Sequence, residues 1–204
     1  EEITVAVLKK RISHLIRFDQ KGDEYYECIS AFHKSLRGSD PDAALYWMVR
    51  MLESGCDPAS IFRRMFCVAS EDVGNADPRA LQICNDAAAA YERLGSPEGE
   101  LCLAQAVTYL AVAPKSNAVC LALKAARSLV KSTPAFPVPN HLCNAPTRAD
   151  QQKGKGIGYQ YPHDYEDAHV QGVNYFPDAL RGTRLYEPVE RGLEKQIAAK
   201  LRRL

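Results

Sequence analysis

Apolar residues recur three or four positions apart through the first two-thirds of the chain, which is the period of an α-helix. The sets that share a helix face are Tyr25, Ile29, Phe32 and Leu36; Leu45, Met48 and Leu52; Ile61, Met65 and Val68; Leu81, Cys84, Ala88 and Tyr91; and Val119, Leu123, Ala126 and Val130. Residues 101–112 are apolar nearly all round, as in a central buried helix. Residues 1–17 show a weaker helical pattern. The spacing predicts an all-α domain up to about residue 132.

Start and stop signals separate these helical stretches. A capping side chain stands before a proline in Ser39-Asp40-Pro41, Asp57-Pro58, Asp77-Pro78 and Ser96-Pro97. The cap oxygen accepts from a free N–H of the first turn, and proline at the first helical position has no N–H to leave unpaired. Glycine follows the preceding helix at Gly55, Gly74 and Gly95, where it can close the helix. Short turns of this kind predict antiparallel neighbours.

The composition changes at Pro134, after which prolines and glycines interrupt any long helix. Aromatic residues are interleaved with them at Tyr159, Tyr161, Tyr165, Tyr175 and Phe176. Such residues usually anchor a loop to a core or to a partner, because each buries a large area. A final helix is predicted to start near Pro188, with one stripe of Val189, Leu193, Ile197, Leu201 and Leu204. The tail is therefore predicted to be an ordered arm ending in an amphipathic helix.

Composition places the chain among ordinary globular proteins, with 46% apolar and 25% charged residues. The formal net charge of +1 gives no general attraction to nucleic acid, so any DNA contact needs a local patch. The candidates for such a contact are Arg148, Lys153 and Lys155. The sequence has neither a long apolar run nor a signal peptide, and we expect a cytoplasmic protein with no membrane contact. The first residue is not methionine, which indicates a piece of something longer.

Cysteine and histidine carry little sign of chemistry. The seven cysteines are scattered without a C-x-x-C pair, so we expect reduced, mostly buried thiols rather than a zinc site. Two histidines and three carboxylates between His163 and His169 could hold a divalent cation, although a solvated acidic loop explains them more simply. The glycine-rich run at Gly154–Gly158 lacks the hydroxyl residue of a phosphate-binding loop. We assign no catalytic residue, cofactor or metal to this chain.

Six segments stand out in order along the chain. They are Ile29-Ser30-Ala31-Phe32-His33-Lys34-Ser35-Leu36-Arg37-Gly38-Ser39-Asp40-Pro41-Asp42-Ala43-Ala44-Leu45-Tyr46-Trp47, Ala69-Ser70-Glu71-Asp72-Val73-Gly74, Ala113-Pro114-Lys115-Ser116-Asn117, Pro137-Val138-Pro139-Asn140-His141-Leu142, Asn144-Ala145-Pro146-Thr147 and Leu180-Arg181-Gly182. Together they resemble the RarA/MgsA family, known in eukaryotes as Werner-helicase-interacting protein, and the resemblance extends over about residues 19–188. The chain departs from the family at residues 149–153, which are polar where the family has an apolar helical stretch.

The resemblance implies the C-terminal part of an AAA+ ATPase that acts in DNA replication, recombination and stalled-fork repair. Residues 1–17 would end the lid of the ATPase module, and residues 18–132 would form a helical oligomerisation domain like the clamp-loader collar. Residues 133–204 would be the loop-rich arm and C-terminal helix packing on it. ATP and magnesium would bind in the N-terminal module, outside this chain, and the whole protein would be a DNA-dependent ATPase.

The partners that the resemblance implies are further copies in a homotetramer, DNA, and single-strand-binding protein, in a nucleoid-associated location. We expect the oligomer contacts at apolar residues of the tail and last helix: Tyr175, Phe176, Leu193, Ile197 and Leu201. Two alternatives stay open from the residues alone. One is a free-standing helical scaffold for partner peptides, and the other is a metal-dependent hydrolase using His163, Asp164, Asp167 and His169.

Overall fold

The computed structural model of the protein describes Val5 and residues 23–204. Within these residues it contains eight bounded α-helices and no β-strand, so the predicted all-α class is confirmed there. The helices are α1 (Asp23–Arg37), α2 (Pro41–Glu53), α3 (Pro58–Val68), α4 (Arg79–Leu94), α5 (Glu98–Val112), α6 (Ala118–Ser132), α7 (Arg148–Gln152) and α8 (Glu194–Leu201). The helix predicted over residues 1–17 lies outside the described residues.

The predicted start signals are confirmed for α2 and α3. The carboxylate of Asp40 accepts from the Ala43 N–H at 2.9 Å, and that of Asp57 accepts from the Ala59 N–H at 2.9 Å. Each proline then occupies the first turn of its helix. The stop signals are confirmed too, because Gly55, Gly74 and Gly95 all have positive φ, at 79°, 51° and 68°.

The signals before α4 and α5 work differently from the prediction. Pro78 and Pro97 stand at the N-cap itself rather than at the first helical position. The Asp77 carboxylate still reaches the Arg79 N–H at 3.3 Å. Ser96 lies one residue too early to cap α5, and its hydroxyl donates to the Glu100 carboxylate instead. The prediction of a serine cap at this helix is therefore wrong.

The described residues form two compact units. The first comprises the described residues up to Cys120 together with Pro188–Lys195. Its centre is α5, which contacts each of α1 to α4. The side chains that are fully buried there include Phe32, Leu36, Met51, Ile61, Met65, Leu103, Val107 and Leu110. These residues confirm most of the predicted inward faces.

Three apolar positions in this unit correct the predicted pattern. Leu101 near the start of α5 is 77% exposed and Val112 at its end is 66% exposed, so this helix is buried along one face and not all round. Leu81 on α4 is 48% exposed, and the inward positions of that helix are Ala80, Cys84 and Ala87. Leu101 and Val112 are exposed because both lie on the side of α5 opposite its buried positions, about 170° around the helix.

The second unit comprises residues 121–187 and 196–204 and is mostly loops and single helical turns. Its buried apolar residues, within the described part, are Val170 and Ala198. The last helix begins at Glu194 and not near Pro188, because Gly192 at φ 52° leaves the helical path. The predicted domain boundary after residue 132 stays a prediction, and the one after residue 17 lies outside the described residues.

Candidate functional site

A single π-helical turn, Ala69–Val73, continues α3 and buries a carboxylate between helices. Asp72 is 8% exposed, and one of its carboxylate oxygens accepts from Nε of Arg37 on α1 at 2.6 Å. Its backbone oxygen accepts from the Ser116 N–H, also at 2.6 Å. Turns of this type recur at functional sites because they displace a residue from the regular helix surface. Here the turn ties α1 to the segment that follows α5.

His33 completes this cluster in its neutral form. Its Nε2 lies 2.7 Å from Nη2 of Arg37 and 3.4 Å from Oδ2 of Asp72, and the shorter contact requires Nε2 to accept because a guanidinium can only donate. Burial, reinforced by the Arg37 charge, lowers the pKa of His33. Nδ1 of His33 and Oδ2 of Asp72 are buried without a hydrogen-bond partner among the described residues. The cluster is therefore held by Arg37, whose charge is matched by Asp72.

A cleft of about 320 Å³ opens beside the cluster. It is lined by Tyr26, Ile29, Ser30, His33, Lys34, Arg37, Arg64 and Glu71. The guanidinium of Arg37 is already committed, since Nη2 also lies 3.4 Å from a Glu71 carboxylate oxygen. Charge-assisted hydrogen bonds of this kind fix helices in place. The cleft therefore lies beside side chains whose role is to hold α1 against the π-helical turn.

The segment Pro188–Lys195 is bound to the first unit through a buried glutamate, and we call it the strap. Glu194 is 0% exposed, and its Oε2 accepts from Oγ of Ser116 at 2.7 Å and from the Val189 N–H at 2.8 Å. The Leu193 N–H donates to the Ala76 carbonyl at 2.8 Å. Nε of Arg191 donates to the Lys115 carbonyl at 2.6 Å. Sequence reasoning missed this role of Glu194, which follows Leu193 of the predicted apolar stripe in the sequence.

Lys115 closes the C-terminal end of α5. Its Nζ donates to the carbonyls of Leu110, Ala111 and Ala113 at 3.0, 2.8 and 2.7 Å, which satisfies oxygens that have no partner inside the helix. Burial lowers the pKa of Lys115. Three of the segments that carry the family resemblance, at residues 29–47, 69–74 and 113–117, therefore meet in one polar network around Asp72 and Ser116.

The predicted DNA-contact residues lie on and beside α7, in the second unit. Thr147 caps this helix by accepting from the Asp150 N–H at 3.1 Å, so the polar stretch that departs from the family forms a short helix. Arg148 and Lys153 are exposed. Lys155 is paired, with Nζ 2.7 Å from Oδ1 of Asp150. Their contact with DNA stays a prediction.

The predicted oligomer contacts differ in exposure. Tyr175 is 53% exposed, Leu201 47% and Leu193 39%, whereas Phe176 and Ile197 are half-buried. Leu193 belongs to the first unit as part of the strap, and the other four belong to the second. Their role in assembly stays a prediction.

The apolar stripe of α6 is exposed, although its periodicity is that of an inward-facing helix side. Val119 is 37% exposed, Leu123 51% and Val130 75%. These three positions lie within about 40° of one another around the helix. The helix turns a neighbouring face inward, where Ala118 is buried and Ala122 and Leu129 are half-buried, while Ala126 of the predicted stripe is half-buried. Periodicity predicted an apolar face correctly, but it could not tell which molecule covers that face.

The other candidate chemistry is dispersed. His163, Asp164 and Asp167 are exposed on two successive single turns, and His169 is half-buried after them. Within the described residues, no three His, Cys, Asp or Glu side chains come together as a metal site. All seven cysteines are free: Cys28, Cys56 and Cys84 are buried, Cys67 is exposed, and Cys102, Cys120 and Cys143 are intermediate. No helix in the described part of the chain is long and apolar enough to cross a membrane.

Comparison with known families gives a match over most of the chain. Residues 38–204 match the family described as MgsA AAA+ ATPase C terminal. The chain belongs to this MgsA C-terminal family. Its relatives include replication-associated recombination protein A of Coxiella burnetii, 55% identical over 92% of this chain and 42% of that protein. The Escherichia coli K12 protein of the same name is 52% identical over 91% of this chain and 41% of that protein.

More distant MgsA relatives include eukaryotic proteins. The ATPase WRNIP1 of Dictyostelium discoideum is 40% identical over 90% of this chain and 22% of that protein. The chain spans about two-fifths of the length of the bacterial relatives named above. The resemblance recognised from sequence segments is thus confirmed at the level of the family.

Proposed function

We propose that this MgsA-family chain is the assembly domain of an AAA+ ATPase that acts in DNA replication, recombination and stalled-fork repair. In this proposal the domain holds the subunits as a homotetramer and contacts DNA. ATP and magnesium bind in the ATPase module outside the chain, and hydrolysis there depends on DNA. Single-strand-binding protein is a further partner, and the whole protein is cytoplasmic and nucleoid-associated. The names of the bacterial relatives support the replication and recombination role.

The observation that carries the assembly role is the exposed apolar stripe of α6. A helix that presents Val119, Leu123 and Val130 to water at helical spacing is incomplete alone, since scattered apolar residues are ordinary on a surface but an aligned stripe favours a partner helix. A second copy of the same helix provides a self-complementary partner in a two-fold interface. The exposed Tyr175 and Leu201 add apolar area in the second unit.

Burial of the stripe between two copies contributes substantially to the free energy of association. Burying a whole Leu or Val side chain contributes about 1.5–3 kcal/mol. With Leu123 51% and Val130 75% exposed, covering their remaining surface contributes roughly 2–4 kcal/mol per copy. A two-fold contact contains the stripe twice, which gives roughly 4–8 kcal/mol, or about a thousandfold or more in the dissociation constant.

The test is the solution mass of the 204-residue chain by light scattering over a dilution series. We expect a tetramer, and we expect the double variant Leu123→Asp/Val130→Asp to dissociate while its circular dichroism spectrum shows the same helix content as the wild type. Leu101→Asp is the matched control, because Leu101 is exposed on α5 and lies outside the stripe. A chain that is monomeric at every concentration contradicts the assembly role and favours a docking scaffold. A tetramer that survives the double variant places the interface elsewhere.

A further inference from the structure

A long central part of the chain carries positive charge alone. Residues 101–149 contain no Asp or Glu, although the whole chain has 25 of them and a net charge of +1. The cations in this part are Lys115, Lys124, Arg127, Lys131 and Arg148. Lys115 is occupied with the end of α5. Three of the remaining four lie on α6, so the balanced net charge conceals a cationic helix.

The three cations of α6 form one face. Lys124, Arg127 and Lys131 fall within about 60° of one another around the helix, and their Cα atoms extend about 10 Å along its axis. All three are exposed. Within the described part of the chain, none of them has an ion-pair partner. This basic face is separate from the apolar stripe, because the two are centred about 90° apart around the helix.

We propose that the basic face of α6, formed by Lys124, Arg127 and Lys131, is a contact surface for the phosphate backbone of DNA. The inference rests on the proposed function and supplies a site for its DNA contact. Each strand of a duplex carries one phosphate per 3.4 Å of axis, so a face about 10 Å long can reach about three phosphates. The face contains no hydrogen-bond acceptor side chain beyond Ser128, and it therefore recognises charge and not base sequence.

The basic face of α6 is a better candidate for DNA contact than the cations on and beside α7. Lys155 is paired with Asp150, and Arg148 and Lys153 lie within three residues of the same carboxylate along the chain. No acidic residue lies on α6 or within fifteen residues of either of its ends. Counterion release depends on the number of phosphates that the cations neutralise. Unpaired cations in a stretch of sequence without carboxylates are therefore better suited to bind DNA than paired ones.

The experiment measures binding of a fluorescent 30-nucleotide DNA, single-stranded and duplex, to the 204-residue chain as a function of salt. The variant is Lys124→Gln/Arg127→Gln/Lys131→Gln. We expect the slope of log Kobs against log salt to fall in magnitude by about 2 to 3, and affinity at about 0.1 M salt to fall roughly hundredfold. The matched control, Lys34→Gln/Arg63→Gln/Arg93→Gln, removes the same charge from exposed positions outside residues 101–149 and should keep the wild-type slope.

Four outcomes overturn the proposal. The first is a triple variant that keeps the wild-type salt slope. The second is a control variant whose slope falls as much as that of the triple variant, and the third is a chain that binds no DNA at low salt. The fourth is a face that binds phosphatidylglycerol vesicles in preference to DNA, which would identify a lipid surface instead. Light scattering on the same samples separates these results from the assembly role: a tetramer that binds no DNA through α6 refutes the site and leaves the assembly proposal standing.

Discussion

The buried carboxylate of Glu194 offers a direct perturbation of the strap. Replacing Glu194 by alanine removes the acceptor of two hydrogen bonds, one from the Ser116 hydroxyl and one from the Val189 N–H. Ser116 is 1% exposed, so water cannot readily replace the lost partner. The first residue of α8 also loses a negative charge that suits the positive end of the helix dipole.

The magnitude follows from the donors left behind. A buried hydrogen-bond donor without a partner costs about 1–3 kcal/mol. The Ser116 hydroxyl is buried and bears this whole cost, whereas the half-buried Val189 N–H can partly bond to water and bears less. We therefore expect Glu194→Ala to lower the free energy of unfolding by about 2–4 kcal/mol. Glu194→Gln keeps an acceptor oxygen and nearly the same volume, and should lose about half as much. Ser116→Ala leaves the buried Glu194 carboxylate one donor short and removes the acceptor of the Ala118 N–H, so it should cost about 2–3 kcal/mol.

Urea unfolding followed by circular dichroism measures these differences. The double-mutant cycle of wild type, Ser116→Ala, Glu194→Ala and the double variant isolates the interaction energy between the two side chains. We expect a coupling of about 1–2 kcal/mol. Hydrogen exchange at the Leu193 N–H, which donates to Ala76, reports whether the strap opens alone or with the whole first unit. A Glu194→Ala variant within about 0.5 kcal/mol of wild type, with Leu193 still protected, would refute the claim that this carboxylate holds the strap.

Three further predictions concern backbone, titration and thiols. Gly192→Ala should destabilise by about 3 kcal/mol or more in urea unfolding, because its Cβ would overlap the Ala76 carbonyl at positive φ, whereas Gly172→Ala has positive φ with nothing within 4 Å and should cost only about 1 kcal/mol. The pKa of His33 is lowered from 6.5 in the fold, so the unfolded chain binds more protons and stability should fall as pH drops below about 6.5; unfolding at pH 7 and pH 5 should show a smaller loss for His33→Gln. Burial raises the pKa of the Cys84 thiol to about 12, so a disulfide reagent at pH 8 should modify exposed Cys67 quickly and Cys84 only after unfolding; equal rates would contradict this.

Local chemistry explains which parts of the fold could be predicted from the sequence. The starts of α2 and α3 depend on a side chain and a proline within a few residues, so Asp40 and Asp57 identify them without knowledge of the rest of the molecule. The inward face of α3 is predictable for the same reason, since Ile61 and Met65 follow one period and meet one core.

Features that depend on distant partners could not be predicted in this way. Asp72 and Glu194 are acidic residues that composition alone places in water, and they are buried because Arg37 and Ser116 meet them from remote positions in the chain. The stripe of α6 failed as a prediction of burial because periodicity identifies an apolar face and not its partner. The predicted helix start near Pro188 failed because Gly192 redirects the backbone into contact with Ala76.

Helix α6 concentrates three different surfaces on one short element, and this arrangement connects the two proposals. Its inward face, with Ala118 buried and Ala122 half-buried, is occupied within the chain. Its apolar stripe, with Leu123 and Val130, is open to a second copy, while Lys124, Arg127 and Lys131 remain on a face that this contact need not cover. If both proposals hold, assembly multiplies the basic face, because each additional subunit contributes three more cations. The salt slope for DNA should then be steeper for the tetramer than for a dissociated Leu123→Ser/Val130→Ser variant, which keeps every cation and adds no carboxylate. Equal slopes for the assembled and dissociated chains would show that the two faces of α6 act independently.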